Sequence, residues 1–360
     1  MNIWQRLKQQ TKPILILAPM EEVTDTVFRR VIIEAGRPDV FFTEFTSSEG
    51  IAWEGRQTDK RVKVVSHRLD YQQIEKPIIA QIWGITPEDY FTASKKILEM
   101  GFDGIDINMG CPVKNVIKQG ACSALIKNPN LAKEIILAVK EGVEYKIPVS
   151  IKTRIGFKEI QTEEWISFLL NECCPDALTV HGRTVKELSL VPNHWEEIEK
   201  SVQLRDELQK DLTNKTLIIG NGDIKNLQEA YQKSKQYNLD GIMVGRGIFS
   251  NPWFFNPQIQ PDENDKLNIS IEKRLEILDL HLNLWEETWQ NPNFINTEIE
   301  NRQNQRYYKN FSALKRFFKI YIQDFDSASK LRAKLMETND INEVRNILTE
   351  FRKPISDSNF

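Results

Sequence analysis

Cysteine is scarce in this chain, with four residues in 360, at positions 111, 122, 173 and 174. They form no CxxC pair and no Cys/His cluster at zinc spacing, so no metal site is expected. They also form no disulfide framework, which fits a reducing compartment. No GxGxxG follows the first apolar run, so the dinucleotide fingerprint of an open α/β sheet is missing. The run ILILAPM is far too short to span a bilayer, and MNIWQRLKQQTKP lacks the apolar core of a signal peptide. A cytoplasmic protein with no membrane partner is expected, with a monomer as the starting assumption. An excess of charge is missing too. Lys+Arg 48 against Asp+Glu 51 leaves a net −3, which gives no global pull toward nucleic acid.

What is present is a soluble globular composition, 40% apolar and 28% charged. Its length exceeds one ordinary core and points to a large domain plus a smaller one. Short apolar runs recur at 14–17, 40–45, 78–83, 104–108, 149–154, 177–181, 217–219 and 241–244, most followed by a segment of helical spacing, although Ser47 to Lys76 is polar and irregular. Near-continuous apolar strands alternating with helices predict parallel βα units covered on both faces. Eight units over about 250 residues predict a (β/α)8 TIM barrel. After Trp253-Phe254-Phe255 the chain turns polar, and from Ile271 the periodicity is helical. The expected organisation is a catalytic barrel over 1–257, a linker over 258–269 and a smaller C-terminal all-helical domain over 270–360.

In such a barrel the site lies at the C-terminal ends of the strands. An unusual set of polar residues collects there: Glu44, Gln81, Asn108, Cys111, Lys152, Arg154, His181, Arg183, Asn221, Asp223 and Arg246, with Pro19-Met20. A helix cap at Asp223 or a loop ion pair at Arg154 would explain single members, but not the whole ring. The last two strands end in GNGD and GRG, where backbone N–H groups can approach a phosphate and Arg246 adds a forked cation. Lys152 can stabilise an anionic ring or oxygen, and His181 can donate a hydrogen bond to it. Cys111 follows a Gly and precedes a Pro in a defined loop. With an ordinary thiol pKa it can donate a proton, and with a lowered one it can act as a nucleophile. The fixed loop favours the general acid over an inert buried thiol.

The strings APMEEVTD, TEF, QIWG, DINMGCPVKNVIKQGACSALI, IKTRIG, HGRT, GNGDI and GRGIFSNPW, in this order over 14–255, resemble the tRNA-dihydrouridine synthase family. KRFFKIYIQDF…LRAKLM is similar to that family's helical domain. The resemblance implies an FMN-dependent reductase of tRNA uridines with NADPH as electron source. Hydride would pass from flavin N5 to uracil C6, with Cys111 protonating C5. It implies flavin contacts at Pro19, Met20, Gln81, Lys152, His181, Asn221, Gly222, Asp223, Gly245 and Arg246, and uracil or nucleotide contacts at Asn108 and Arg154. Glu44 and Arg183 join the substrate-side candidates.

The chain departs from the family at Glu21-Glu22, at Cys122 where a small residue is usual, at KELSLVPNHW, and in the long stretch between Trp195 and Leu217. These departures bear on which uridine is chosen. In the tail, Arg302, Arg306, Lys309, Lys315, Arg316, Lys319, Lys330, Arg332 and Lys334 face only Asp324 and Asp326, with Tyr307, Tyr308, Phe311, Phe317, Phe318 and Tyr321 interleaved. Attached to this barrel, that basic and aromatic face is expected to bind tRNA, notably through Lys315, Arg316 and Lys319. The alternative is that the aromatics are core and the charges merely solvated. Two other functions compete: an FMN-dependent pyrimidine oxidoreductase of the dihydroorotate dehydrogenase type, and a non-catalytic tRNA-binding barrel.

Overall fold

The computed structural model describes residues 2–9, 13–53, 65–262, 266–290 and 309–356. Nine parallel strands form one sheet: β1 (Ile14–Leu17), β2 (Phe41–Phe42), β3 (Thr46–Ser47), β4 (Ile78–Trp83), β5 (Gly104–Met109), β6 (Val149–Arg154), β7 (Ala177–His181), β8 (Leu217–Asn221) and β9 (Gly241–Val244). β2 and β3 both pair with β4, so they are two pieces of one barrel strand. The single run expected over 40–45 is therefore broken. The Thr43 and Thr46 hydroxyls turn onto the Glu44 carbonyl, at 3.0 and 3.2 Å, and take it out of the ladder.

β1 pairs with β9 from Ile14↔Gly241 to Leu17↔Val244, and Ile16 bridges Val40 on its other side, which closes the ring. The expected (β/α)8 barrel is thus the observed fold. Helices Pro87–Glu99, Pro129–Gly142 and Trp195–Leu208 follow β4, β5 and β7. Pro87 and Pro129 stand at helix starts, where a missing N–H costs nothing. The helix from Trp195 ends at Leu208, well before β8. Gln209 accepts from the Thr216 N–H at 2.8 Å and donates to the Leu170 carbonyl at 3.0 Å, folding the chain back toward β8. β8 runs two residues beyond Ile219, so Gly220 and Asn221 lie in the ladder beside Val180 and His181.

A floor of apolar side chains fills one end of the barrel. Ile14, Ile16, Val40, Phe42, Ile79, Ala177, Leu217, Ile219 and Met243 form one buried cluster with Ile3, Trp4 and Leu7 of the N-terminal helix Ile3–Lys8. Two residues further along several of these strands the side chain is polar: Gln81 follows Ile79, and Asn221 follows Ile219. With a side-chain period of two, those polar groups share the inner face one layer above the floor.

By internal packing the chain divides into Met1–Thr26 with Pro38–Gly245, and Val27–Arg37 with Arg246–Phe360. Among the described residues of the second unit every regular element is helical, including Ile271–Trp285, Ala328–Glu337 and Ile341–Ser356. Its core joins the two sequence ends of the unit. Phe28 packs on Phe317 with ring centroids 5.3 Å apart, and the His281 ring meets Tyr321 Oη at 2.7 Å. Phe28 is fully buried, so Phe28→Ala should lower the unfolding free energy by about 3–5 kcal/mol. Urea denaturation measures this, and a loss below about 1 kcal/mol would contradict the packing described.

Candidate active site

The strand register assembles the site. Gln81 lies beside Asp106, Asp106 beside Ser150, Asn108 beside Lys152, Arg154 beside His181, and His181 beside Asn221. Buried polar groups in such a place must find partners. The Ser150 hydroxyl and the Gln81 amide each donate to the Asp106 carboxylate at 2.7 Å. Asn108 Nδ2 donates to Gln81 Oε1 at 3.1 Å. Asn108 Oδ1 in turn accepts from the Gly110 and Cys111 N–H groups, at 3.1 and 3.0 Å. A single relay therefore runs from a buried carboxylate to the backbone of the cysteine loop.

That loop is tied from two more directions. Arg154, almost fully buried, donates Nε–H to the Gly110 carbonyl at 2.8 Å and Nη1–H to the Thr184 carbonyl at 3.2 Å. Ser123 Oγ donates to the Cys111 carbonyl at 2.7 Å. Cys111 itself is half-buried. Its pKa is lowered to about 7, first by the thiol of Cys122, then by the Val113 N–H and the Arg154 charge, against burial and Glu21. Loss of water around the Lys152 ammonium, with Arg154 beside it, lowers that pKa to about 8, although Lys152 keeps some accessible surface. Burial raises Asp106 to about 6, opposed by Ser150, Gln81 and Lys152.

Other expected site residues are committed to holding loops. Glu44 is buried and accepts from the Glu22 N–H at 2.5 Å, so it pins the loop after β1. Met20 N–H in that loop donates to Thr24 Oγ1 at 2.9 Å. Arg183 is buried, donates to the Val191 carbonyl at 2.7 Å and forks onto both oxygens of Asp223. The Asn221 amide donates to the Met243 carbonyl at 2.8 Å. Arg246 starts the C-terminal segment of the second packing unit, at the head of the short helix Gly247–Ser250, and Lys315, Arg316 and Lys319 belong to that segment.

In the tail, Arg316 and Lys319 are exposed, whereas Lys315 is half-buried and donates to the Met336 carbonyl at 2.8 Å. Phe311, Phe317, Phe318 and Tyr321 are buried, so these four aromatics are core and offer no face for stacking. Arg302, Arg306, Tyr307 and Tyr308 lie outside the described residues. Asp106 and Ser150 were not singled out for chemistry. A carboxylate inside an apolar run was the visible signal for Asp106, but strand register, which pairs it with Ser150, is not written in one sequence.

The strand tips suit a planar, phosphorylated cofactor. A Cβ on Gly222, at φ +126°, would lie 2.1 Å from Asn193 Oδ1, so only glycine makes that turn. At Gly245 a Cβ would meet nothing closer than Ala18 Cβ at 3.7 Å, which leaves its backbone approachable. Along the other strands stand a cation (Lys152, β6), an imidazole (His181, β7) and two amides (Gln81, β4; Asn221, β8), a donor set that fits a heteroaromatic ring with carbonyl and phosphate oxygens.

A closed (β/α)8 barrel with an apolar floor, a polar tip layer and an acidified thiol is that of an enzyme. The model of the family described as Dihydrouridine synthase (Dus) matches residues 16–353. The probable tRNA-dihydrouridine synthase 2 of Bacillus subtilis (strain 168) is 42% identical over 358 residues, covering 99% of this chain and 98% of that one. The probable tRNA-dihydrouridine synthase of Staphylococcus aureus (strain COL) is 41% identical over 352 residues, covering 97% and 95%. Among solved structures, histamine dehydrogenase from Rhizobium sp. 4-9 shares the fold with a TM-score of 0.51 at 12% identity, over 79% of this chain and 51% of that one. The chain belongs to the dihydrouridine synthase family, flavin-dependent enzymes that reduce uridine in tRNA. Among the described residues no helix is long and apolar enough to cross a membrane.

Asn108→Ala removes the acceptor of two loop N–H groups and should cost about 2–4 kcal/mol of stability. Thermal unfolding of the variant tests this, and a loss below about 0.5 kcal/mol would mean that the loop does not depend on Oδ1.

Proposed function

We propose that this enzyme uses FMN as its flavin and NADPH as electron donor, and that Cys111 is the acid that completes reduction of the uridine C5–C6 bond. The observation that supports this most is a thiol of pKa about 7 held on a loop that three separate hydrogen-bonded supports immobilise. A proton donor works best with a pKa near the operating pH and a fixed position. Bound FMN supplies the hydride that uracil receives at C6. Cys111 gives its proton to C5 on the same ring, and the thiolate left behind recovers a proton from water.

In this reading Gln81, Lys152 and His181 would hold the flavin ring, and the turns at Gly222 and Gly245, with Arg246, would hold its phosphate. Lys152 is cationic at neutral pH, since its pKa of about 8 lies above it, and it supplies positive charge next to Asn108. Asn108 and Arg154 act mainly by presenting the Cys111 loop, and Asn108 keeps one amide hydrogen for the uracil edge. Glu44 and Arg183 act through the loops they pin. The helical tail takes up tRNA through exposed Arg316 and Lys319, working by charge without aromatic stacking. The free site thiols suit the reducing cytoplasm.

The purified protein should be yellow, and NADPH should bleach it. Cys111→Ala should keep both properties while dihydrouridine formation falls by about 10²–10⁴-fold. Unchanged formation would remove Cys111 from the reaction, and turnover of free pyrimidines in place of tRNA would favour the competing oxidoreductase. Only the protonated thiol can donate. The single-turnover rate of reduced enzyme with tRNA should therefore hold below pH 7 and fall above it, approaching about tenfold per unit. A rate that rises through that range would exclude a thiol acid.

A further inference from the structure

Lysines on the outer helices of the barrel find carboxylates: Lys133 lies 2.8 Å from Glu172, and Lys200 lies 2.8 Å from Glu163. Past the strand tips the pattern changes. The loops over 110–128, 155–161 and 182–194 expose Lys114, Lys118, Lys127, Lys158 and Lys186, and among the described residues none of these five forms an ion pair. The same loops carry two carboxylates, Glu159 and Glu187. Glu187 is taken up by the Thr184 N–H at 2.7 Å and by the His194 ring at 3.1 Å. That leaves an excess of fixed positive charge.

The three loops form one surface. Arg154 bonds the Gly110 carbonyl of the first and the Thr184 carbonyl of the third. The Val185 and Lys186 N–H groups donate to the Gly156 and Phe157 carbonyls of the second, both at 3.0 Å. The Lys127 ammonium, from the first loop, stands 4.3 Å from the centre of the Phe157 ring. Cys111 lies in the first of these loops, so the charged surface borders the strand-tip site. Like charges held together repel one another, and a phosphate backbone relieves that repulsion while releasing its own counterions.

We propose that this rim is a second tRNA-binding surface, carried by the barrel itself, whose lysines take phosphates of the tRNA near the uridine to be reduced. It is separate from the contacts assigned to Arg316 and Lys319 in the tail. It rests on tRNA being the substrate and on no step of the chemistry. The five lysines are far apart in the sequence and no basic run marks them; only the folding of three loops together makes them one patch. With a net charge of −3 over the whole chain, the attraction is local to this rim and does not extend to the molecule at large.

The test is the affinity of the flavin-loaded enzyme for a fluorescently labelled tRNA transcript, read by anisotropy between about 50 and 200 mM salt. The triple variant Lys118→Ala/Lys158→Ala/Lys186→Ala should bind about 10–100-fold more weakly at the low-salt end, and the slope of log Kd against log salt should fall by about 2–3. Each single change should lower that slope by about one. All three side chains are exposed, and retained flavin absorbance reports that the variants are folded. Lys133→Ala/Lys200→Ala, which removes paired lysines, should change the affinity by less than about twofold. An unchanged slope in the triple variant overturns the proposal. So does an equal loss in the paired-lysine control, because that reports net charge and no surface. Arg316→Ala/Lys319→Ala is measured beside them: a loss in the rim variants with none in this one supports the rim and removes the tail contacts, so the two failures are told apart.

Discussion

One amide oxygen carries this site. Asn108 Oδ1 accepts two consecutive backbone N–H groups of the cysteine loop and has that orientation because its Nδ2 is taken by Gln81, which Asp106 aligns in turn. Each group in the relay is buried, so each link, if broken, leaves a desolvated donor or acceptor. The carboxylate at its root lies deep between β4 and β6. The loop is thus anchored to the barrel wall through side chains, with the barrel supplying rigidity and the loop supplying reach.

Buried cations are used in the same spirit. Arg154 and Arg183 are both nearly inaccessible, and both direct N–H groups at carbonyls of the segment after β7 while holding a second partner, Gly110 or Asp223. A guanidinium suits this work because its fixed fork reaches several acceptors at once. The placing of Arg154 has an electrostatic effect as well. It favours the Cys111 thiolate and disfavours the Lys152 ammonium, so one charge moves an acid and a cation of the same site toward neutral pH.

The barrel was legible because it rests on local patterns: short apolar runs, proline at helix starts, glycine where strands end. The ring of strand-end residues followed from the same count, since strand tips are where such a fold exposes polar side chains. What could not be read was the direction in which each side chain turns. Arg183 and Glu44 looked like groups for a substrate, yet they spend their charge on Asp223 and on the Glu22 N–H. Phe311, Phe317, Phe318 and Tyr321 looked like part of a stacking surface, yet they are core, because a small helical unit has few other large apolar groups to bury.

The closure of the barrel has a consequence for how the chain is made. β1 finds its ladder partner in β9, and the helix Thr26–Ala35 finds its core partners in the C-terminal tail. Both units thus pair an early segment with a late one: the barrel cannot close before β9 is made, nor the helical core before Phe317. A chain halted early would expose an unpaired strand edge on Ile14–Leu17 and an uncovered Phe28 together, two features that quality-control machinery recognises.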